Sequence, residues 1–130
     1  MLQSEKLKQA APVIVRIGVS LVFLWFGSEQ TLHPEMWTGF IPDWALQFSG
    51  VGAGALIYFN GYFEIFFGGW LLLGFFTRLS AFLLAIHLFN IAFTIGYNDV
   101  GVRDFGLAMA TFSVFLKGAD IWCLDRLFKL

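Results

Sequence analysis

Apolar residues in this chain come in long runs separated by short polar breaks, and each run has the length of a membrane-spanning helix. An α-helix rises about 1.5 Å per residue, so about 20 apolar residues cross the hydrocarbon core of a bilayer. We predict four such helices, at about 12–28, 53–76, 79–97 and 104–118. Backbone groups in lipid need internal partners and strand alternation is absent, so the predicted fold class is an all-α integral membrane protein. The prediction is a four-transmembrane-helix bundle forming a single domain over 1–130.

Two segments outside these runs are also rich in apolar residues. The loop over 28–50 between the first two helices carries Trp37, Phe40, Ile41, Trp44 and Phe48, which predict short segments lying in the outer membrane interface. This loop either anchors the bundle as an aromatic belt or lies as a lid over a binding cavity. The last residues, about 119–129, predict a short amphipathic helix that continues the fourth helix or lies along the inner interface.

The distribution of basic residues predicts the orientation. With four membrane crossings, both chain ends and the turn at Thr77 and Arg78 lie on one side. That side collects seven of the eight Lys and Arg residues, and the other side holds only Arg103. Basic residues favour the cytoplasmic side, so we predict an inner-membrane protein with both termini in the cytoplasm.

The amino-acid composition is typical of a membrane protein and argues against nucleic acid as a binding partner. Hydrophobic residues make up 58% of the chain and charged residues 13%, against roughly a quarter charged in soluble domains. The net charge of -1 and the lack of a basic tract argue against nucleic acid. The lipid bilayer is the predicted partner, and a second copy of the chain or other membrane subunits are further candidates. A single cysteine, Cys123, excludes an internal disulfide.

Glu64 stands out because it is the only charged residue between Asp43 and Arg78. A carboxylate near the centre of a membrane helix costs on the order of 3 kcal/mol or more to insert. At helical spacing, Glu64 shares one face with Asn60, Gly61 and Gly68. Small residues allow close helix packing, so we expect this face to point into the bundle.

Other polar residues lie at depths that match Glu64. Glu64 lies about 18 Å from the inner end of its predicted helix, and on the next helix His87 and Asn90 lie about 12 Å and about 16 Å from that end. Arg16 lies about 6 Å deep if its helix starts at Pro12, and about 12 Å deep if the helix starts near Lys8. Arg103 lies at the outer side and could fold inward.

These depths predict a polar pocket centred on Glu64. Our candidates for ligand binding or proton relay are Glu64, His87, Asn90, Asn60, Arg16 and Arg103, with Arg16 as a counter-ion. The alternatives are structural. Glu64 could be protonated and hydrogen-bonded as a packing element, the asparagines could join helices, and Arg16 could extend to the cytoplasmic interface.

The chemistry of the candidate residues excludes several kinds of site. His33 lies in the outer loop and His87 in the inner half of the bundle, so the two cannot share one metal ion, and we predict no metal site. A porphyrin held by His87 alone stays open. No Ser–His–Asp or Cys–His set and no phosphate-binding glycine loop is present. No cofactor is evident from the residues themselves.

The order of these features is similar to a known family. Arg16 early in the first helix, the loop with HPE, the stretch FEIFFGGWLLLGFFTR and the polar loop YNDVGVRD follow one another. In this order they resemble the DoxX family of small four-helix membrane proteins from bacteria and archaea. The resemblance covers about 12–127, and its most characteristic positions are Glu64, Gly68, Gly69, Gly74, Thr77 and Arg78.

The resemblance implies a loosely defined redox association. Some DoxX proteins are linked to quinone-dependent oxidation of sulfur compounds, and others to membrane complexes that handle oxidative or thiol stress. This chain departs from the family at Glu29 and Gln30, where a lysine or histidine is frequent, so no role is carried over to that position.

Three functions are therefore open at the level of sequence. The first is a redox-associated subunit, an oxidoreductase component if catalytic, with a pocket for a quinone-like or other small lipophilic ligand. The second is a small-solute or proton transport protein. The third is a non-catalytic accessory or assembly subunit of a membrane complex.

Overall fold

The computed structural model describes residues 2–130, which form helices and turns without any strand. Four long helices are joined by short connections, apart from the loop after the first helix. That loop contains two 3₁₀ turns, at Pro34–Met36 and Thr38–Phe40. The α-helices are α1 (Leu2–Leu32), α2 (Asp43–Ser49), α3 (Ala53–Leu73), α4 (Thr77–Ile95), α5 (Asp99–Lys117) and α6 (Leu124–Phe128).

Three of the helices, α1, α3 and α4, are long and apolar enough to cross a bilayer. The predicted all-helical fold of a membrane protein is thereby confirmed. Helix α5 is 19 residues long but carries Asp99, Arg103, Asp104 and Lys117. It is not among the three, and its crossing of the membrane stays a prediction.

The four long helices pack as two close pairs. α1 packs mainly against α3 and α4 mainly against α5, while contacts of α3 with α4 and of α1 with α5 complete the bundle. Glycines allow the first pair to approach closely. A Cβ atom at Gly61 would lie 2.9 Å from the carbonyl oxygen of Gly27, and one at Gly68 would lie 3.2 Å from the Cβ of Phe23. The face of α3 that carries Gly61, Glu64 and Gly68 is buried, as its spacing predicts.

Some helix boundaries differ from those expected. α1 begins ten residues earlier than position 12, because its first residues are polar but good helix formers, and hydropathy marks only the apolar part of a helix. α3 ends at Leu73 rather than 76, since Gly74 adopts a left-handed φ of 73°. α5 begins at Asp99 rather than 104, because the Asn98 side chain caps it by accepting a hydrogen bond from Gly101 N at 2.9 Å.

The C-terminal segment differs most from its prediction. We expected one amphipathic helix over about 119–129, but only Leu124–Phe128 is helical. Asp120 and Asp125 are both buried, because each binds groups of the bundle instead of facing water. The carboxylate of Asp125 accepts hydrogen bonds from Phe76 N at 2.6 Å and Thr77 N at 2.7 Å, which caps the start of α4.

Arg16 joins this segment to the bundle. Its Nε lies 2.7 Å from Asp120 Oδ2, and its Nη1 donates to the carbonyl oxygens of Leu71 and Leu72 at the end of α3. Burial acts to raise the pKa of Asp120, but hydrogen bonds from Arg16 and from the backbone of Trp122 outweigh it and hold the pKa below its ordinary value. We call this set, Arg16, Asp120 and Asp125 with their partners, the C-terminal clasp.

The clasp and the loop after α1 lie at opposite ends of the bundle. The clasp joins Arg16 to the end of α3 and to the segment after α5, so the beginning of α1 and the C-terminal segment share one end, here called the termini end. The other end, the loop end, brings together the end of α1, the start of α3, the end of α4 and the start of α5.

Candidate functional site

A cavity of about 330 Å³ lies at the loop end, enclosed by the four long helices and the loop after α1. The loop contributes side chains that are mainly aromatic: Trp37, Phe40, Ile41, Trp44 and Phe48. The same residues are predicted above as a belt or a lid, and their place along this cavity agrees with the lid. The polar residues that line the cavity come from all four helices and the loop: Gln30, Ser49, Asn60, Glu64, Asn90, Thr94, Arg103 and Asp104.

Glu64 lies midway along α3 and is only 3% exposed. Two neighbouring side chains each face one of its carboxylate oxygens. Gln30 on α1 donates from Nε2 to Oε2 over 3.3 Å. His87 on α4 places Nε2 3.4 Å from Oε1, in a geometry that falls short of a hydrogen bond. Residues from three helices thus meet at one carboxylate.

His87 lies behind Glu64 and does not itself line the cavity. Its ring stacks on Phe63, with 4.5 Å between ring centroids and 28° between planes. This stacking holds the imidazole in place, with Glu64 between it and the cavity. His87 has one nitrogen at carboxylate distance and can serve as donor or acceptor there, depending on its tautomer.

Two buried polar atoms of residues 2–130 have no hydrogen-bond partner, and both belong to this cluster. They are Oε1 of Gln30 and Nε2 of His87. A buried polar atom without a partner costs about 1–3 kcal/mol. Unsatisfied atoms therefore call for an explanation, and a site prepared for a ligand is one.

Arg103 lies at the mouth of the cavity, where its side chain is half exposed. Its guanidinium carbon lies 5.1 Å from the ring centroid of Phe26, and Nη2 lies 3.4 Å from Oδ1 of the buried Asp104. Phe26 in turn meets the edge of Trp37 at 5.5 Å. A cation, two aromatic rings and a carboxylate thus form one continuous wall.

The structure brings most of the predicted site residues together. Glu64 and His87 meet as their matching depths predict, and Asn60, Asn90 and Arg103 line the same cavity. Arg16 does not join them. Its prediction as counter-ion to Glu64 is wrong, because its guanidinium makes four hydrogen bonds to Asp120 and the end of α3 and none to Glu64. It does not extend to the interface either, since it is 1% exposed.

Sequence reasoning missed Gln30 as a site residue. A signal was present, since Arg16, Ser20, Phe23 and Gly27 lie on one face of α1 and residue 30 continues their helical spacing. Asp104 shares a face with Ala108 and Thr111 at helical spacing, and α5 buries this face in the bundle. Among residues 2–130, no group of three His, Cys, Asp or Glu side chains is arranged to hold a metal ion.

In the comparison with protein-family models, residues 11–96 match DoxX. The chain belongs to the DoxX family. The DoxX match includes Gln30, Glu64 and His87 and stops at the end of α4, whereas the resemblance described above extends to about 127. Arg103, Asp104 and the C-terminal clasp lie beyond the part matched to DoxX. No curated protein and no solved structure matches this chain.

Proposed function

We propose that this DoxX protein is a redox-associated subunit of the inner membrane whose cavity holds a quinone-like or other small lipophilic ligand. The observation that carries the proposal is the cavity itself, which connects an aromatic lid to a buried carboxylate. A glutamate kept only for packing has no need of an open volume beside it. The cost of burying Glu64 in the bundle favours a functional role.

The size and lining of the cavity fit such a ligand. Sites for small molecules measure about 300–1,000 Å³ and are mainly apolar, with a few polar groups that orient the ligand. At about 330 Å³ the cavity lies at the small end of this range and suits one ring system with short substituents. Flat rings stack well on Trp37, Phe26 and Trp44.

The topology that accompanies this proposal has four membrane crossings and both termini in the cytoplasm. Support comes from α5, whose polar residues Asp104 and Thr111 are buried in the bundle. Polar residues of a membrane-spanning helix are expected to face the interior of the bundle and not the lipid. If α5 crosses, seven basic residues lie on the cytoplasmic side. The cavity then lies in the outer half of the membrane.

In this proposal Glu64 and His87 exchange protons or hydrogen bonds with the polar group of the ligand. Arg103 and Asp104 balance charge at the mouth of the cavity. General acid–base groups act best when they lie within hydrogen-bond reach of the proton that moves, directly or through one group. The Gln30–Glu64–His87 cluster has this arrangement, since it leads from the cavity wall into the bundle.

Transport and a purely accessory role are less well supported. A transport path needs a way out at the termini end, where the buried Arg16–Asp120 pair closes the bundle. An accessory subunit held together by its glycine faces does not need the cavity.

The test is ligand retention by purified protein. Wild-type protein extracted in mild detergent should carry a lipophilic quinone or bind an added decyl-substituted benzoquinone, and Glu64→Gln should weaken this binding at least about tenfold without lowering the melting temperature. Glu29→Gln is the matched control, since Glu29 does not line the cavity. Equal binding by wild type and Glu64→Gln would contradict the proposal. Flux into liposomes that Glu64→Gln abolishes would support transport, and inactivity in both assays an accessory role.

A further inference from the structure

We infer that the cavity selects ligands carrying a hydrogen-bond donor, a hydroxyl or an N–H group, and that Gln30 is the residue that accepts this hydrogen bond. The inference rests on the proposed function and names the ligand class of the same site. For a quinone-like ligand it means that the hydroquinone, with two hydroxyl groups, binds in preference to the quinone, which has only acceptor oxygens.

The side-chain amide of Gln30 makes a hydrogen bond through its nitrogen but none through its oxygen. Gln30 is 7% exposed and lines the cavity, and its nitrogen donates to Glu64 Oε2 over 3.3 Å. Its Oε1 receives no hydrogen bond from any group of residues 2–130. An amide oxygen has two lone pairs and can only accept, so the missing partner must be a donor.

Two contacts keep the amide in this orientation. Oε2 of Glu64 accepts the hydrogen bond from the NH₂ group of Gln30, which leaves Oε1 of Gln30 free. The close approach of α1 and α3 holds the stem of the side chain, since a Cβ atom at Gly61 would lie 3.2 Å from the Cβ of Gln30. The acceptor is therefore set in place before a ligand arrives, which lowers the entropy lost on binding.

The other polar groups around the cavity include both donors and acceptors. Glu64 and Asp104 carry carboxyl groups, and Arg103 donates one N–H group to Asp104 over 3.4 Å. His87 lies behind Glu64 and does not line the cavity. The amides of Asn60 and Asn90 can donate or accept. A hydroxyl group both donates and accepts, so a ligand that carries one can pair with these groups and with Gln30 Oε1, whereas a ligand with carbonyl oxygens alone leaves Gln30 Oε1 without a partner.

The experiment compares three ring compounds of similar shape. They are 2,3,5,6-tetramethylhydroquinone, its dimethyl ether, which has no hydroxyl group, and the corresponding quinone. Binding to the full chain in lipid nanodiscs is measured by equilibrium dialysis under argon. We expect the hydroquinone to bind about tenfold more tightly than either of the others, because a buried acceptor rejects a ligand that leaves it unpaired.

Two substitutions to methionine test the role of Gln30. Gln30→Met keeps the length of the side chain but removes the acceptor, so the preference for the hydroquinone should fall to about twofold or less. Gln47→Met makes the same change on α2, at an exposed position away from the cavity, and should leave the preference intact. The ether is bulkier than the hydroquinone, so size alone could produce a preference for the hydroquinone. If Gln30→Met keeps the same preference, the preference comes from size and the inference is overturned.

The outcomes separate this inference from the proposed function. Equal binding of all three compounds by the wild-type protein overturns the donor preference and leaves the proposed lipophilic site standing. Binding of none of them contradicts the proposed function together with the inference. If Gln30→Met fails to fold, the comparison of the three compounds in wild-type protein decides alone.

Discussion

The two ends of the bundle bury charged residues in opposite ways. At the termini end, Arg16 is 1% exposed and Asp120 2% exposed, and the two form an ion pair with backbone groups filling the remaining positions. At the loop end, Glu64 is 3% exposed, and its neighbours Gln30 and His87 each keep a buried polar atom without a partner, that of Gln30 on a residue that lines the cavity. In the first cluster every buried side-chain nitrogen and oxygen has a hydrogen-bond partner. The second cluster contains buried polar atoms without a partner and borders a cavity.

In the proposed function, this difference separates the polar residues that hold the fold from those that meet a ligand. A buried ion pair whose hydrogen bonds are all made holds helices in place, and it is costly to break because the remaining partner is left charged and buried. A cluster with missing partners gives up stability that only a ligand restores. Burial of a charge in a membrane bundle is therefore not enough to indicate a site; the state of its hydrogen bonds decides.

The largest effect should come from breaking the clasp. Arg16→Met leaves Asp120 without its cation and two carbonyl oxygens at the end of α3 without a donor, so we expect the free energy of unfolding to fall by about 3–5 kcal/mol. Denaturation of the purified protein in mixed micelles measures this. Lys8→Met is the control, since the Lys8 side chain is 71% exposed. A loss under about 1 kcal/mol would show that the clasp does not hold the fold.

Helix packing beside the cavity should come next in size. Gly61→Ala places a Cβ 2.7 Å from the Cγ2 of Thr31 and 2.9 Å from the carbonyl oxygen of Gly27, so α1 and α3 must move apart. We expect a loss of about 1–3 kcal/mol in unfolding free energy. Ligand binding should weaken too, because the position of Gln30 depends on this contact. Gly69→Ala has nothing within 4 Å of its Cβ and should change neither quantity.

Filling the cavity should separate binding from stability. Thr94 lines the cavity near the end of α4, and Thr94→Phe should block ligand binding while changing the unfolding free energy by less than about 1 kcal/mol. Thr38→Phe adds the same ring outside the cavity lining and should leave binding intact. Undiminished binding in Thr94→Phe would place the ligand elsewhere on the protein.

The smallest predicted effect is a pH dependence of the stability, which comes from Asp120 at the termini end. The pKa of Asp120 is lower in the folded protein than its ordinary value of 3.8, so ionised Asp120 stabilises the fold above that value. This contribution should be constant from pH 7 to about pH 5 and be lost as the pH falls through the lowered pKa. Asp120→Asn should remove that part of the acid dependence of the melting temperature. If the melting temperature of Asp120→Asn falls at acidic pH as much as that of the wild type, other carboxylates cause the acid dependence and the prediction is wrong.

Sequence alone was sufficient for the pairing of Glu64 with His87. The short turn between α3 and α4 places the two helices side by side, and the predicted depths of about 18 Å for Glu64 and about 12 Å for His87 lie within side-chain reach of each other. In the structure the two depths are closer, since Glu64 lies nine residues before the end of α3 and His87 ten residues after the start of α4. It was not sufficient for Arg16, because depth along a helix does not say which neighbour the side chain faces. The partner of Arg16 comes from Asp120 in a non-helical segment, which helical periodicity cannot place.

The cavity was less predictable than the helices that form it. Aromatic residues in the loop after α1 suit a membrane interface and a lid equally well, since both need rings next to apolar surroundings. Whether a void remains below them depends on how side chains from four helices fill the space. Gln30 was on the buried stripe of α1, but its unpaired oxygen is visible only once the neighbours are in place.

The thermal unfolding of Glu64→Gln, with and without tetramethylhydroquinone, tests most directly whether the loop end is built for a ligand and the termini end for the fold. We predict that Glu64→Gln without ligand melts within about 2 °C of the wild type, because the amide replaces the carboxylate at nearly the same volume. The compound should raise the melting temperature of the wild type and not that of the variant. A variant that melts as early as Arg16→Met, together with a wild type that the compound does not stabilise, would show that Glu64 only holds the helices together.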